Sequence, residues 1–241
     1  MPETRFEVID GKVEHVPPAD EAHGTRHSKI SALLEAHVAD GYEVASDMLT
    51  RTSVKGDMAP DASVFPAARD PKTGGRKLEE MAFEVCNTER LGHAAKKARA
   101  LSARGVRRIF AVDVERRRAL AWSTATDTWE ILSNAGTIED RTLAAPLPLR
   151  ALVEAAKADD AMAAALLAKK NPVLEQALRA SQAQGVLAGK IESLLAILSA
   201  RGIPVTKKAE KKIRAAADEA QIDAWLRRAV TAASADEVLR K

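Results

Sequence analysis

The run Met81-Ala82-Phe83-Glu84-Val85-Cys86 is apolar at every position except Glu84. A run this short and this apolar reads as a buried β-strand. An ionised carboxylate in such a strand costs several kcal/mol unless it is compensated, so any fold of this chain must bring a cation to Glu84. Side chains alternate along a strand, which puts Glu84 and Cys86 on one face and Val85 on the other. Upstream, Pro60-Asp61-Ala62-Ser63-Val64-Phe65 sets a second carboxylate at the edge of another apolar strand. Downstream, Lys96 and Lys97 open a basic stretch. Two acids on neighbouring strands with a lysine in reach suit a hard divalent cation and phosphodiester hydrolysis.

Residues 1–150 carry a mixed α/β pattern. Phe6 to Val8 and Lys12 to Val16 flank an Asp10-Gly11 turn, a hairpin signature. A helix is predicted from Glu21 to Val38, with Gly41 as its stop, and strands at Glu43 to Thr52 and Asp61 to Phe65. After the loop Ala68 to Lys77 come the Met81 to Cys86 strand and a helix from Leu91 to Arg104. Three further strands are predicted at Arg108 to Val112, Ala119 to Trp122 and Thr128 to Leu132. Beyond Pro146 and Pro148, Ala, Leu, Glu and Lys dominate and the pattern turns helical: Leu149 to Lys170, Pro172 to Arg201, then short helices at Thr206 to Gln221, Ile222 to Ala232 and Ser234 to Leu239. The expected division is an α/β domain over 1–148, a helical linker over 149–188 and a small helical domain over 189–241. Leu101-Ser102-Ala103-Arg104-Gly105-Val106 and Leu198-Ser199-Ala200-Arg201-Gly202-Ile203 read as two helix ends closed by a left-handed glycine.

The formal net charge is +3, but Lys96 to Arg118 holds nine Lys/Arg against Asp113 and Glu115. Such a field suits a polyanion; a solvated helix face followed by a charged turn is the plainer alternative. Lys96, Arg99, Arg104, Arg107 and Arg108 are the candidate nucleic-acid contacts. Aromatic residues make up only 3% of the chain, which favours backbone binding to duplex DNA over base stacking. A single cysteine, Cys86, excludes an intrachain disulfide and fits a cytoplasmic protein. Neither a signal peptide nor an apolar run of roughly 18 residues stands out, so no membrane partner is expected.

Phe6 to Val13, His27, Pro60-Asp61, Phe83-Glu84-Val85, Lys97 and Gly105-Val106, in this order and spacing, resemble the Uma-type endonuclease family. That family is a branch of the PD-(D/E)XK, or restriction-endonuclease-like, superfamily, and the resemblance spans about residues 5–123. It implies a mixed sheet flanked by helices and a divalent metal, Mg2+ or Mn2+, held by Asp61 and Glu84. The lysine that usually lies two residues after the acid is replaced here by Cys86, and the resemblance moves the role to Lys97 on the following helix. It also implies Glu7 as an accessory metal ligand and His27 as an accessory residue. The family's acid four residues before the helical lysine is His93 here, and its aromatic four residues after is Leu101.

From the residues alone, Glu7 reads equally as an outward strand residue and His27 as part of a polar helix face. His23 and His27 have the i, i+4 spacing of a chelating pair but lack the intervening glutamate of a zinc protease. Two function classes stay open. One is a metal-dependent endonuclease acting on DNA, with a homodimer expected. The other is a nuclease-fold protein acting as a DNA-binding or assembly module, which His93 and Leu101 favour.

Overall fold

The computed structural model describes residues 5–9, 11–16 and 21–240. Strands β1 (Arg5–Ile9) and β2 (Lys12–Val16) form the expected antiparallel hairpin, with Gly11 in the left-handed region at φ 78°. Asp10, the other turn residue, lies outside the described residues. Helix α1 (Glu21–His37) follows and buries Ile30, Leu33 and Leu34. The segment expected as one strand from Glu43 to Thr52 is divided into β3 (Tyr42–Ser46) and β4 (Thr50–Ser53), because Asp47 takes φ 55° and turns the chain between them. Strand β5 (Gly56–Met58) was not anticipated; three residues are too few to carry a period.

The remaining strands fall where expected: β6 (Ala62–Pro66), β7 (Met81–Cys86), β8 (Arg108–Asp113), β9 (Arg118–Ser123) and β10 (Thr128–Ile131). Helix α2 (Leu91–Arg104) connects β7 to β8. Two-residue strands β11 (Thr137–Ile138) and β12 (Leu147–Pro148) pair with each other. The main sheet runs β10-β9-β8-β7-β6-β3, and only the β7–β8 pair is parallel. A second sheet runs β2-β1-β5-β4. This is the α/β class, a mixed sheet flanked by helices.

The alternation along β7 sorts its side chains as predicted. Met81, Phe83 and Val85 join Ile30, Leu33 and Leu34 in the main core, where Phe83 and Phe110 stack at 5.1 Å. Ala82 and Cys86 face the other way, against Ala98, Leu101 and Ala94 of α2. Small residues on both surfaces let α2 approach the strand closely around Glu84.

Helices α3 (Leu149–Val153) and α4 (Ala155–Ala168) replace the single helix expected from Leu149 to Lys170. Leu149, Leu152, Val153 and Ala161 belong to the main core, so the first compact unit runs to Asn171 and a linker does not begin at 149. The second unit, Pro172–Lys241, contains α5 (Pro172–Ala200), α6 (Lys207–Arg214), α7 (Glu219–Ala229) and α8 (Ala235–Val238). Its core gathers Ile191, Leu194, Leu198, Ile213, Ile222 and Val238 around Trp225. Both related hexapeptides end helices in the same way: Gly105 at φ 113° and Gly202 at φ 70°, with Val106 and Ile203 donating back to Leu101 and Leu198. One expectation needs correction. Helix α5 contains an 18-residue window of mean hydropathy 1.2, 17% of it buried, so by length and composition it reaches the range of a membrane span. Leucine, isoleucine, valine and alanine with few charges produce that value, but polar residues interrupt them, so no unbroken apolar run signals it.

Candidate active site

The site is assembled at the junction of the two sheets. Glu84 sits near the middle of β7 on the α2 side, 5% exposed. Lys97 is 5% exposed and on the buried side of α2, in helical register with Ala94, Ala98 and Leu101. Its Nζ lies 2.9 Å from Glu84 Oε2 and 3.1 Å from Glu7 Oε1, and donates to the Ala59 carbonyl at 2.9 Å. The cation demanded by Glu84 is thus the lysine one helix later.

Glu7 arrives from β1 of the second sheet, 2% exposed. Its Oε1 also accepts the Ala59 N–H at 3.0 Å. Ala59 follows β5 and leads through Pro60 to Asp61, so this three-residue junction ties both sheets to the lysine. Asp61 Oδ2 accepts the Val85 N–H at 2.6 Å, which fixes the second carboxylate against the backbone next to Glu84. Asp61 Oδ1 lies 3.7 Å from His23 Nε2. Sequence reasoning brought Asp61, Glu84, Lys97 and Glu7 forward, and all four lie in this one cluster.

Electrostatics separate the two central acids. Burial alone would raise Asp61, but His23, Lys97 and the Val85 N–H outweigh it and hold the carboxyl below its ordinary value. Glu84 is pushed up to about 8, chiefly by burial and then by Asp61 and Glu7, although Lys97 opposes them. Lys97 is raised; burial opposes this, but Glu84, Glu7 and Asp61 together prevail, so it stays an ammonium. Cys86 is buried and its thiol is pushed up to about 12, mainly by burial, which makes it a packing residue rather than a nucleophile.

The accessory positions lie around this centre. His27 donates from Nε2 to the Asp61 carbonyl, and the same nitrogen lies 3.7 Å from Asp47 Oδ1. One ligand atom from each of His27, Asp47 and Asp61 lies within 4.8 Å of the other two. His23 and His27 stack with ring centres 6.3 Å apart, so their i, i+4 spacing serves Asp61. Asp47 and His23 are the residues that sequence reasoning did not assign to this site, and the histidine pair was the available signal. His93 turns to the hairpin, its Nδ1 3.5 Å from Glu14 Oε2.

The basic stretch is arranged differently from the open cationic surface expected. Arg99 pairs with Asp127 at 2.7 Å, and Arg104 donates to the Arg51 carbonyl at 3.2 Å. Arg107 pairs with Glu80 at 2.8 Å and with Asp140 at 2.7 Å. Arg108 also meets Asp140, at 3.1 Å, and Arg118 meets Asp113 at 3.0 Å. Of the five candidate nucleic-acid contacts, only Lys96 makes no such internal bond among the described residues.

The family model for Uma2, described as "Putative restriction endonuclease", matches residues 1–154. The chain belongs to the Uma2 family. The match covers the whole main sheet, the hairpin that carries Glu7 and helix α2, and stops at the end of α3. A solved structure described as a "putative nuclease belonging to DUF820", from Anabaena variabilis ATCC 29413, is also similar. It shares 15% identity at a TM-score of 0.48, over 57% of this chain and 82% of the other. No curated protein matches the chain. Uma2 membership makes this a nuclease-type domain, in agreement with the resemblance carried by the sequence.

The buried cluster fits a divalent cation. Glu7, Asp61 and Glu84 set three carboxylates against the one ammonium of Lys97, and Glu84 Oε1 is buried without a hydrogen-bond partner. An orphaned carboxylate oxygen in an acid-rich pocket is an oxygen donor of the type hard cations take.

Proposed function

We propose that this Uma2 protein is a metal-dependent endonuclease hydrolysing DNA phosphodiester bonds. Asp61 and Glu84 would hold a divalent cation, Mg2+ or Mn2+, with Glu7 as the accessory carboxylate. The observation that carries the reading is the partnerless Glu84 Oε1 in a pocket where carboxylates outnumber cations. A bound cation of this kind supplies a water of lowered pKa and offsets charge on the scissile phosphate.

The chain's own residues have distinct tasks. The Val85 N–H holds Asp61 in the geometry of an oxygen donor. Lys97 aligns Glu84 and Glu7 with two of its protons and grips the Ala59 carbonyl with the third. An ammonium has three donors, so Lys97 must release one partner before it can orient water or stabilise the phosphate. His27, bonded to the Asp61 carbonyl, fixes the backbone that carries the acid.

The full occupancy of Lys97 also supports a second reading, a nuclease-fold module that binds DNA without cutting it. A plasmid-nicking assay with Mg2+ or Mn2+ separates the two. Cation-dependent nicking that is lost in Asp61→Ala, Glu84→Ala and Lys97→Ala supports the hydrolase. Salt-sensitive retention of the plasmid without nicking supports the module and overturns the hydrolase.

A further inference from the structure

A cleft of about 890 Å³ runs between the N-terminal half of α1 and the segments that follow β7 and β8. Four cations line it: Arg26 and Lys29 from α1, Arg90 from the turn after β7, and Arg117 from the β8–β9 turn. It opens onto the acidic cluster, because His23 belongs to its wall and stands 3.7 Å from Asp61 Oδ1. The cleft lies at the C-terminal ends of the parallel strands β7 and β8, whereas Arg107 and Arg108 sit at the opposite ends.

These four side chains, of which only Arg117 belongs to the basic stretch, differ from Arg99, Arg107, Arg108 and Arg118. Among the described residues, none of the four has a carboxylate within ion-pair distance. The side chain of Arg26 makes one hydrogen bond, from Nη1 to the Leu152 carbonyl at 3.3 Å. Glu21, Glu89 and Glu115 also reach the cleft, and Glu115 accepts the Thr88 N–H at 3.3 Å. Arg26 is held below the usual arginine value, first by burial and then by the charge of Arg117. Two guanidiniums that line one cleft, neither paired with a carboxylate, suit a shared anion.

We propose that this cleft seats the backbone of duplex DNA, with Arg26 and Arg117 gripping one phosphate beside the scissile position while Lys29 and Arg90 meet its neighbours. The assignment rests on the hydrolase reading for what happens at Asp61 and Glu84, but the grip itself is measured by binding. The test is the salt dependence of affinity for a fluorescent random-sequence duplex, followed by anisotropy. Each lost phosphate contact flattens the slope of log K against log salt by about 0.9.

Arg26→Gln with Arg117→Asn, which together release one phosphate, is therefore expected to flatten the slope by about 0.9. Arg117→Asn alone keeps the result readable if Arg26→Gln disturbs folding, since Arg117 is exposed in a turn at φ 49°, where asparagine is tolerated. Arg51→Gln, which removes an exposed side-chain pair with Asp57 away from the cleft lining, leaves the slope unchanged. A slope unchanged in both cleft variants, or a wild type that does not hold the duplex, overturns the cleft. If nicking still requires Glu84 in that case, the hydrolase stands without it. Wild-type protein that never nicks, yet loses slope in the variants, overturns the hydrolase and keeps the cleft.

Discussion

Replacing Lys97 by Met tests the physics of the buried cluster directly. Met preserves most of the side-chain volume, so the packing against Ala94 and Leu101 survives while the ammonium disappears. Two buried carboxylates, Glu84 and Glu7, then lose a cation at 2.9 and 3.1 Å, and the Ala59 carbonyl loses its donor. Breaking a buried pair by removing one partner costs about 3–5 kcal/mol. With an m-value of about 2 kcal/mol per M urea, the unfolding midpoint of the first unit falls by about 2 M. The assay is urea titration followed by tryptophan fluorescence in a Trp225→Phe background, so that only Trp122 and Trp129 of the first unit report. Adding Glu84→Gln replaces the unpaired acid by an amide that needs no cation and should restore about half of the loss, roughly 2 kcal/mol. The pH dependence has a definite sign. A carboxyl raised by burial folds with its proton on, so the folded state binds more protons than the unfolded chain. Glu84 is already raised to about 8 in the wild type, so both proteins keep that proton at lower pH, and the deficit of Lys97→Met should hold steady from pH 5 to pH 7 and widen above about pH 8. A loss under about 1 kcal/mol, or a double variant less stable than Lys97→Met, would refute the claim that this ammonium compensates the buried acids.

Three other outcomes follow from the same geometry. In Asp140, burial is outweighed by Arg107, the Thr142 N–H and Arg108, which hold the carboxyl well below its usual range. Its stabilisation is complete above the unfolded carboxyl value and lost as pH falls through the lowered folded one, so Asp140→Asn should melt earlier than wild type at pH 7, with the gap beginning to close only below about pH 4. Ala98→Leu puts a larger side chain into the fully buried seam between α2 and β7, and should cost about 1–3 kcal/mol. It should also reduce any cation-dependent nicking more than Leu101→Met does, because Lys97 shifts with its helix. Trp225→Ala should cost the second unit about 3–5 kcal/mol. Hydrogen exchange should then show lost protection from Ile191 to Leu239 and unchanged protection in β7; loss in both places would count against independent cores.

Much of the fold was legible because its strongest signals are local. Strand β7 and helix α2 fall where alternation and the Gly105 stop put them. Glu84 announced its own partner, since the cost of a buried charge leaves few alternatives. What escaped is contextual. A Gly-Asp-Met segment has no inherent strand character, and β5 exists because β1 and β4 flank it. The fate of the arginines was hidden for a similar reason: Asp127, Asp140 and Glu80 lie far from their partners in sequence. The charge run from Lys96 to Arg118 therefore looked like an open field, although Arg99, Arg107, Arg108 and Arg118 are paired and only Arg117 of the run lines the cleft. The region after residue 148 read correctly as helical, but the break at Glu154 and the start of α7 at the Asp218 cap, inside the helix expected from Thr206 to Gln221, were missed. The allegiance of α3 to the first unit depends on Leu149 and Leu152 finding α1 and the sheet, which no period records.

The segment from Ala59 to Asp61 gives the N-terminal hairpin a reach beyond its size. Through it a ribbon near the chain terminus is mechanically joined to the ammonium and to both acids. Trimming the first dozen residues, or anchoring a bulky fusion against them, would strip one carboxylate from Lys97 and slacken the backbone that aims the other two. Loss of activity after such a change would then report a detuned centre, even where the remaining chain still folds.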